Sequence, residues 1–207
     1  DKDWDPFSPH GGLWSFLKFS LPSPPLDAAA RQQMRLDDDA RNSARMGNWQ
    51  QLLQLVSIGA NVSAPDINDG DATALHVAAA EGHIVVIQVL AQMRVPVDIE
   101  KSNMRTPLHQ AAAAGQSRAV MKLAELGADV NATCVGDFTP MHLAAMNGQD
   151  EAVGVLLTLG SCVWARDWQF RTPLQVADYW NHTAIVHKLG KAMTLSNAPS
   201  IEVCNTW

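Results

Sequence analysis

Between residues 107 and 127 the apolar positions fall into two short helical stripes. Leu108, Ala111 and Ala112 share one helical face, and Val120, Leu123 and Ala124 share another, each at the i, i+3, i+4 spacing of an amphipathic helix. Gly115 and Gly127 follow the stripes, and glycine ends a helix readily because it takes the left-handed conformation without a Cβ clash. Pro107 opens the first stripe, where its missing N–H would have had no partner. The pattern predicts helices over 107–114 and 117–126. The alanines let the paired helices approach closely, and the larger residues fill the space between layers.

The same pattern recurs along the chain. Apolar pairs stand at matching distances from a glycine: Ile87 and Leu90 after Gly82, Val120 and Leu123 after Gly115, Val153 and Leu156 after Gly148. Ahead of them Thr73, Thr106, Thr139 and Thr172 lie 33 residues apart and open the phrases TALHVAAAEGH, TPLHQAAAAGQ, TPMHLAAMNGQ and TPLQVADYWNH. A fixed period of this length predicts a solenoid in which each unit stacks on the next, and solenoids present surfaces more often than catalytic pockets.

These phrases, with GADVNA at 127–132 and GANVSA at 59–64, resemble the ankyrin repeat family. The resemblance covers about residues 37–191. It implies an all-α ankyrin-repeat solenoid of helix-turn-helix units with short β-turn or hairpin loops. ARMGNW at 44–49 and LLQLVSIGA at 52–60 carry a degenerate first repeat, which makes five: about 37–65, 66–98, 99–131, 132–164 and 165–191. Three departures from the family pattern stand out. The loop at 64–72 is two residues longer than its counterparts. Met104 replaces the usual loop glycine of repeat three. Repeat five has Gln175 for the histidine, Asn181 for the helix-ending glycine and Phe170 for the loop glycine. Asn tolerates the left-handed conformation; Phe does not, so a loop conformation of its own is expected around Phe170.

The flanks differ from the repeats. Residues 1–35 read as an irregular aromatic arm that ends in the start of a helix. Seven Pro and Gly residues break its first 25 positions, yet it carries Trp4, Phe7, Trp14, Phe16 and Phe19, with a short helix expected around Trp14–Phe19. Disordered tails usually lack such aromatics. Five large rings exceed what the side of a small solenoid buries, so a second subunit is the expected seat for the arm. Ser23-Pro24-Pro25 suits a helix start, and Asp37–Asp39 suit a cap for a second helix over 40–46. Residues 192–207 read as a tail.

Composition narrows the functional classes. The net charge of −6 gives no basic footprint for nucleic acid. No apolar run is long enough to cross a bilayer. Cys134, Cys162 and Cys204 are an odd number without metal-type spacing and not a disulfide framework, which points to an intracellular reducing compartment. Asp1 stands where a methionine would, so the expectation is the cytoplasm or an organelle interior after removal of a targeting peptide.

Candidate chemistry reduces to a few residues. His76, His109 and His142 form a series, but neighbouring layers lie roughly 10 Å apart and a Zn²⁺ ion needs ligands at about 2 Å. The resemblance instead implies that each imidazole bonds to backbone in a neighbouring loop. Cys134 and His142 could suggest a nucleophile and its base, but nothing in the sequence lowers the thiol pKa or orients the pair. No phosphate loop, Gly-x-Ser-x-Gly elbow or HExxH is present. No catalytic residue, metal or cofactor is therefore expected.

Positions that the family leaves variable line its concave face. In repeat three they are Ser102, Asn103, Arg105, Ala113 and Ala114. In repeat four they are Val135, Gly136, Phe138, Met146 and Asn147, and in repeat five Trp168, Gln169, Arg171, Tyr179 and Trp180. Aromatic character rises toward the C-terminal end, and Trp164 stands close enough in sequence to join the cluster. Trp, Tyr and Arg dominate interface hot spots. The expected binding residues are Phe138, Met146, Trp168, Arg171, Tyr179 and Trp180, with the five arm aromatics. The expected function is a non-catalytic protein–protein interaction scaffold, as an accessory subunit of a larger assembly that could be membrane-bound, organellar or photosynthetic. The alternative is a transient regulatory inhibitor or targeting adaptor of an enzyme. Capping of the last repeat by its own tail or arm is the non-binding explanation of the aromatic cluster.

Overall fold

The computed structural model describes residues 27–195. The arm aromatics Trp4, Phe7, Trp14, Phe16 and Phe19, the helix expected around residues 14–19, and Cys204 lie outside the described residues. Among the described residues ten α-helices run in order: α1 (Ala28–Arg45), α2 (Trp49–Ser57), α3 (Ala74–Glu81), α4 (Ile84–Gln92), α5 (Pro107–Ala113), α6 (Ser117–Glu125), α7 (Pro140–Met146), α8 (Asp150–Thr158), α9 (Pro173–Tyr179) and α10 (Thr183–Leu195). The odd-numbered helices stack on one another as an inner layer and the even-numbered ones as an outer layer, each pair joined by a tight turn. The core is continuous along the stack. Leu52, Leu75, Ile87, Leu90, Leu108, Leu123, Met141, Leu156, Ile185 and Leu189 are fully buried, with alanines packed between them. Of the stripes read from sequence, only Ala124 departs, being half-buried, while Ala119 takes the buried place.

The first helix corrects the sequence expectation. Ala28–Arg45 is one helix of 18 residues, begun by the Asp27 side chain, which accepts from the Ala30 N–H at 2.6 Å. Asp37 caps nothing within it. Its carboxylate accepts from Asn61 N at 2.7 Å and Gln33 Nε2 at 2.8 Å, tying the helix to the loop after α2. A residue with cap-forming chemistry thus acts between elements rather than at a helix end.

The loops before each Thr share one geometry. Residues 71, 104, 137 and 170 all have positive φ, from 56° to 65°. In three of the loops the residue three places earlier receives the same turn hydrogen bond: Met104 N to Lys101 O at 2.7 Å, Asp137 N to Cys134 O at 2.9 Å, Phe170 N to Asp167 O at 2.7 Å. Phe170 therefore does not create a conformation of its own. It is forced into the left-handed one that its repeat requires. The longer first loop closes through Asp66 N to Ala72 O at 2.9 Å, with two extra residues between the paired positions compared with Cys134 N to Phe138 O at 3.0 Å.

Glycine at the inner-helix ends meets two demands at once. Gly115 has φ +74°, and a Cβ there would lie 2.2 Å from Oε1 of Gln149 in the next repeat. Asn181 fills the equivalent place in the last repeat at φ 62°, which left-handed tolerance of Asn permits. Gly115→Ala is expected to lower stability by about 1–2 kcal/mol through left-handed strain alone. Displacing Gln149 adds to that loss. Urea unfolding of the purified variant checks this; an unchanged midpoint would contradict the packing described.

Candidate partner-binding surface

Each of the three histidines bridges two repeats. Thr73 N, Thr106 N and Thr139 N donate to Nδ1 of His76, His109 and His142 at 3.3, 3.2 and 3.2 Å, closing a capping box at the helix start. On the opposite side of each ring, Nε2–H donates to the carbonyl of Arg105, Phe138 and Arg171 in the following loop, at 2.9, 3.0 and 3.1 Å. Both nitrogens are committed, as the resemblance implied. Burial lowers the pKa of His76 and of His109 to about 4, against the pull of the loop carbonyl, and lowers that of His142 as well. The rings are neutral near pH 7, the state in which one nitrogen accepts and the other donates. Among the described residues no loop follows the last repeat, and there Gln175 keeps the near contact, its Oε1 accepting from Thr172 N at 2.9 Å.

These bridges fix the loops that present the candidate residues. The last loop has an additional lock. Asp167 accepts from Gln169 N and Arg171 N at 2.9 Å each and pairs with Arg171 Nε and Nη2 at 2.9 and 2.8 Å. Burial raises the Asp167 pKa, but the hydrogen bonds from Arg171 and Gln169 outweigh it and hold the carboxyl below its usual value. Arg171, expected as a contact residue, has its guanidinium engaged in holding this loop.

On that loop and the helix behind it, four aromatic rings face solvent: Trp168 at 59% exposure, Phe170 at 74%, Tyr179 at 71% and Trp180 at 53%. Tyr179 and Trp180 meet edge to face with ring centroids 5.5 Å apart. Helix α9 separates this pair from the loop by about 10 Å, the length of seven helical residues. Trp168 lies against repeat four, where a Cβ on Gly136 would stand 3.1 Å from its ring and 3.0 Å from that of Phe138. Phe138 is half-buried, edge-on to His142 with centroids 6.1 Å apart. Met146 is also half-buried and lends its carbonyl to His182 Nε2 at 3.1 Å. In repeat three Asn103 and Ala113 give backbone oxygens to their neighbours, Val135 N at 3.1 Å and Asn147 Nδ2 at 2.8 Å.

Two expectations need correction, and two features went unread in the sequence. Trp164 does not join the exposed cluster. It packs against the core, and its indole N–H is buried without a partner among the described residues. Its register explains the change: Asp98 and Asn131 there accept from the next repeat at Asp129 N (3.2 Å) and Cys162 N (2.8 Å), and the described residues offer no such loop after the last repeat. Cys162 is disulfide-bonded, so the cysteines lend no support to the reducing compartment. Phe170 was read only as a misfit in its loop, although its apolar ring at a loop tip was the signal that it belongs with the patch. At the other end a groove of about 100 Å³ is lined by Arg45, Asp69, Glu81 and Gln110 among others. Its signal was the charge at the variable helix ends of repeats one and two.

The proposed nucleophile finds no support in its surroundings. Burial pushes the Cys134 thiol above its usual value, away from the thiolate form that attacks. No helix among the described residues is long and apolar enough to cross a membrane.

Comparison with known families agrees with this geometry. A family model described as ankyrin repeats, in three copies, matches residues 43–134, and a second, described as an ankyrin repeat, matches residues 136–168. Together they cover more than half of the 207 residues. No curated protein matches the chain.

The histidine bridges predict a pH dependence. Unfolded imidazoles titrate near 6.5, so the unfolded state binds more protons than the folded one below that pH. The stabilisation is complete above about pH 6.5 and is lost as pH falls toward 4. By pH 5 His76 and His109 should each have lost about 2 kcal/mol. His109→Gln keeps the Thr106 contact, as Gln175 does with Thr172, but lacks the loop bond. Urea unfolding from pH 7 to 5 should show a less stable variant at pH 7 and a shallower decline; an equal slope would refute the assignment.

Proposed function

Because the chain belongs to the ankyrin repeat family, a family of protein–protein interaction modules, we propose that it is a non-catalytic scaffold whose partner docks on the aromatic end of the stack. The observation that carries this reading is Phe170. A phenylalanine with φ 60° holds a conformation that disfavours side chains by about 1–2 kcal/mol. The residue is 74% exposed, so folding gains little in return. Strain kept without a packing gain points to a role outside the fold. Trp168 stands beside it, Tyr179 and Trp180 follow at the far end of α9, and Phe138 and Met146 form the half-buried floor. Arg171 acts in this reading by holding the loop through Asp167.

The arrangement suits a permanent accessory subunit of a larger assembly better than a transient regulator. Four exposed rings at one end offer aromatic anchors that a tight interface would bury, and a surface of this kind is a liability when left uncovered. The five repeats, about 37–65 to 165–191, form one binding unit in this proposal. A permanent subunit co-elutes with its partner at fixed ratio through high salt, and a transient regulator does not.

Two variants test the surface. Trp168→Ala with Trp180→Ala should weaken partner capture at least about thirtyfold, the equivalent of 2 kcal/mol, with helical circular dichroism unchanged. Unaltered co-purification would remove the patch from the interface. Phe170→Gly separates fold from function: its stability should stay level or rise by up to about 1 kcal/mol as the backbone relaxes, while binding weakens. A markedly lower melting temperature would show that the ring serves the fold instead.

A further inference from the structure

A second uncovered surface lies at the opposite end of the stack, on the outer layer. Helices α2 (WQQLLQLVS) and α4 (IVVIQVLAQ) contain no charged residue, whereas α6, α8 and α10 each carry at least two. Surface helices of soluble proteins normally turn charged residues to solvent. Here Trp49, Leu53, Ile58 and Val85 are exposed, with glutamines between them. Among the described residues no repeat precedes repeat one, and terminal units of a solenoid need a polar outer face or a cap. Helix α1 is strongly polar, but it belongs to the inner layer.

We propose that the aromatic segment Trp14–Phe19 of the same chain seats on this uncharged face and caps the first repeat. The chain emerges in the right place. Helices α1 and α2 are antiparallel, and Gln33 Nε2 donates to Gly59 O at 2.9 Å, so the first turns of α1 lie beside Ile58. From Asp27 back to Phe19 there are seven intervening residues, 20–26, which span up to about 24 Å when extended. Pro22, Pro24 and Pro25 within them favour extended chain. Helix α2 is about 14 Å long, so the segment reaches the whole of the face. Its chemistry matches: WSFLKF offers three rings and a leucine with a single charge, at Lys18. A short tether raises the local concentration of the segment to the millimolar range, which favours this seat over a free partner of equal affinity. Sequence alone sends the arm to a second subunit; the bare outer face supplies a nearer destination. The seat is independent of the aromatic end of the stack.

Hydrogen exchange on the full chain tests the seat. Wild type, W14A/F16A/F19A and L53E/V85E are compared at two protein concentrations tenfold apart, each checked to be monomeric and helical. The expected result is about tenfold faster exchange of amides in residues 49–58 in the arm variant. The face variant should show the reciprocal loss of protection in residues 14–19. Neither effect should depend on concentration. Trp168→Ala with Trp180→Ala should leave both readings unchanged, so this idea and the docking proposal fail separately. Equal exchange in all forms overturns the seat. Protection that grows with concentration places the arm on a second copy, and protection of residues 14–19 only in the presence of a co-purified partner places it on another subunit; either outcome also overturns it.

Discussion

The bond on which this stack depends is the one from an imidazole Nε2–H to a carbonyl in the next repeat's loop. His76, His109 and His142 each make it, and each ring is held in place by a threonine that begins its own helix. Helix start, helix stacking and loop position are thereby set by one side chain. Burying a neutral imidazole is tolerable only when both nitrogens are satisfied, so the interaction holds the loop to a narrow range of positions. The rings of Trp168 and Phe170 owe their placement to such a loop, fixed by His142 from one side and by Asp167 from within.

Much of this was legible in the sequence, because the repeat multiplies weak local signals. One Thr-Pro-Leu-His means little; its recurrence at a constant period defines the helix starts, the glycine stops and the loops together. The histidine bridges could be expected for the same reason. What stayed hidden depends on neighbours. Asp37–Asp39 look like a cap, yet Asp37 bonds across to Asn61 in the middle of a longer helix. Phe170 looks incompatible with a left-handed loop, yet the hydrogen bonds around it impose that conformation. Trp164 looks like part of an exposed cluster, yet the end of the stack turns it inward. In each case tertiary contacts overrode a local preference.

The ends of the stack show most plainly how position alters the role of a residue. Gln175 does half the work of a histidine, and among the described residues no further loop follows for it to hold. Trp164 takes the place of an amide or carboxylate that would have bonded to the next repeat. At the first repeat, an outer surface without charge lies beside the point where the chain enters. The middle repeats keep the threonine, the histidine and the helix-ending glycine, and their exposed apolar side chains, such as Met104, Met121 and Val135, are scattered and not aromatic. The individuality of the molecule is thus concentrated at its two termini, with charge in the N-terminal groove and aromatic rings at the C-terminal tip.

The histidine bridges also have a direction. The three from His76, His109 and His142 each run from a repeat to the loop of its successor, whereas His83 and His182 reach back to the inner-helix ends at Arg45 O and Met146 O. Removing the last helix pair would leave all earlier loops still latched, whereas removing repeat two would free the loop of repeat three from its anchor at His76. A unit inserted between two others would find a donor ahead of it and offer one behind. Such a chain can lengthen by duplication of an internal 33-residue segment, with every junction already supplied. Its terminal units cannot be copied inward in the same way, because Gln175 would leave the loop after it without a latch.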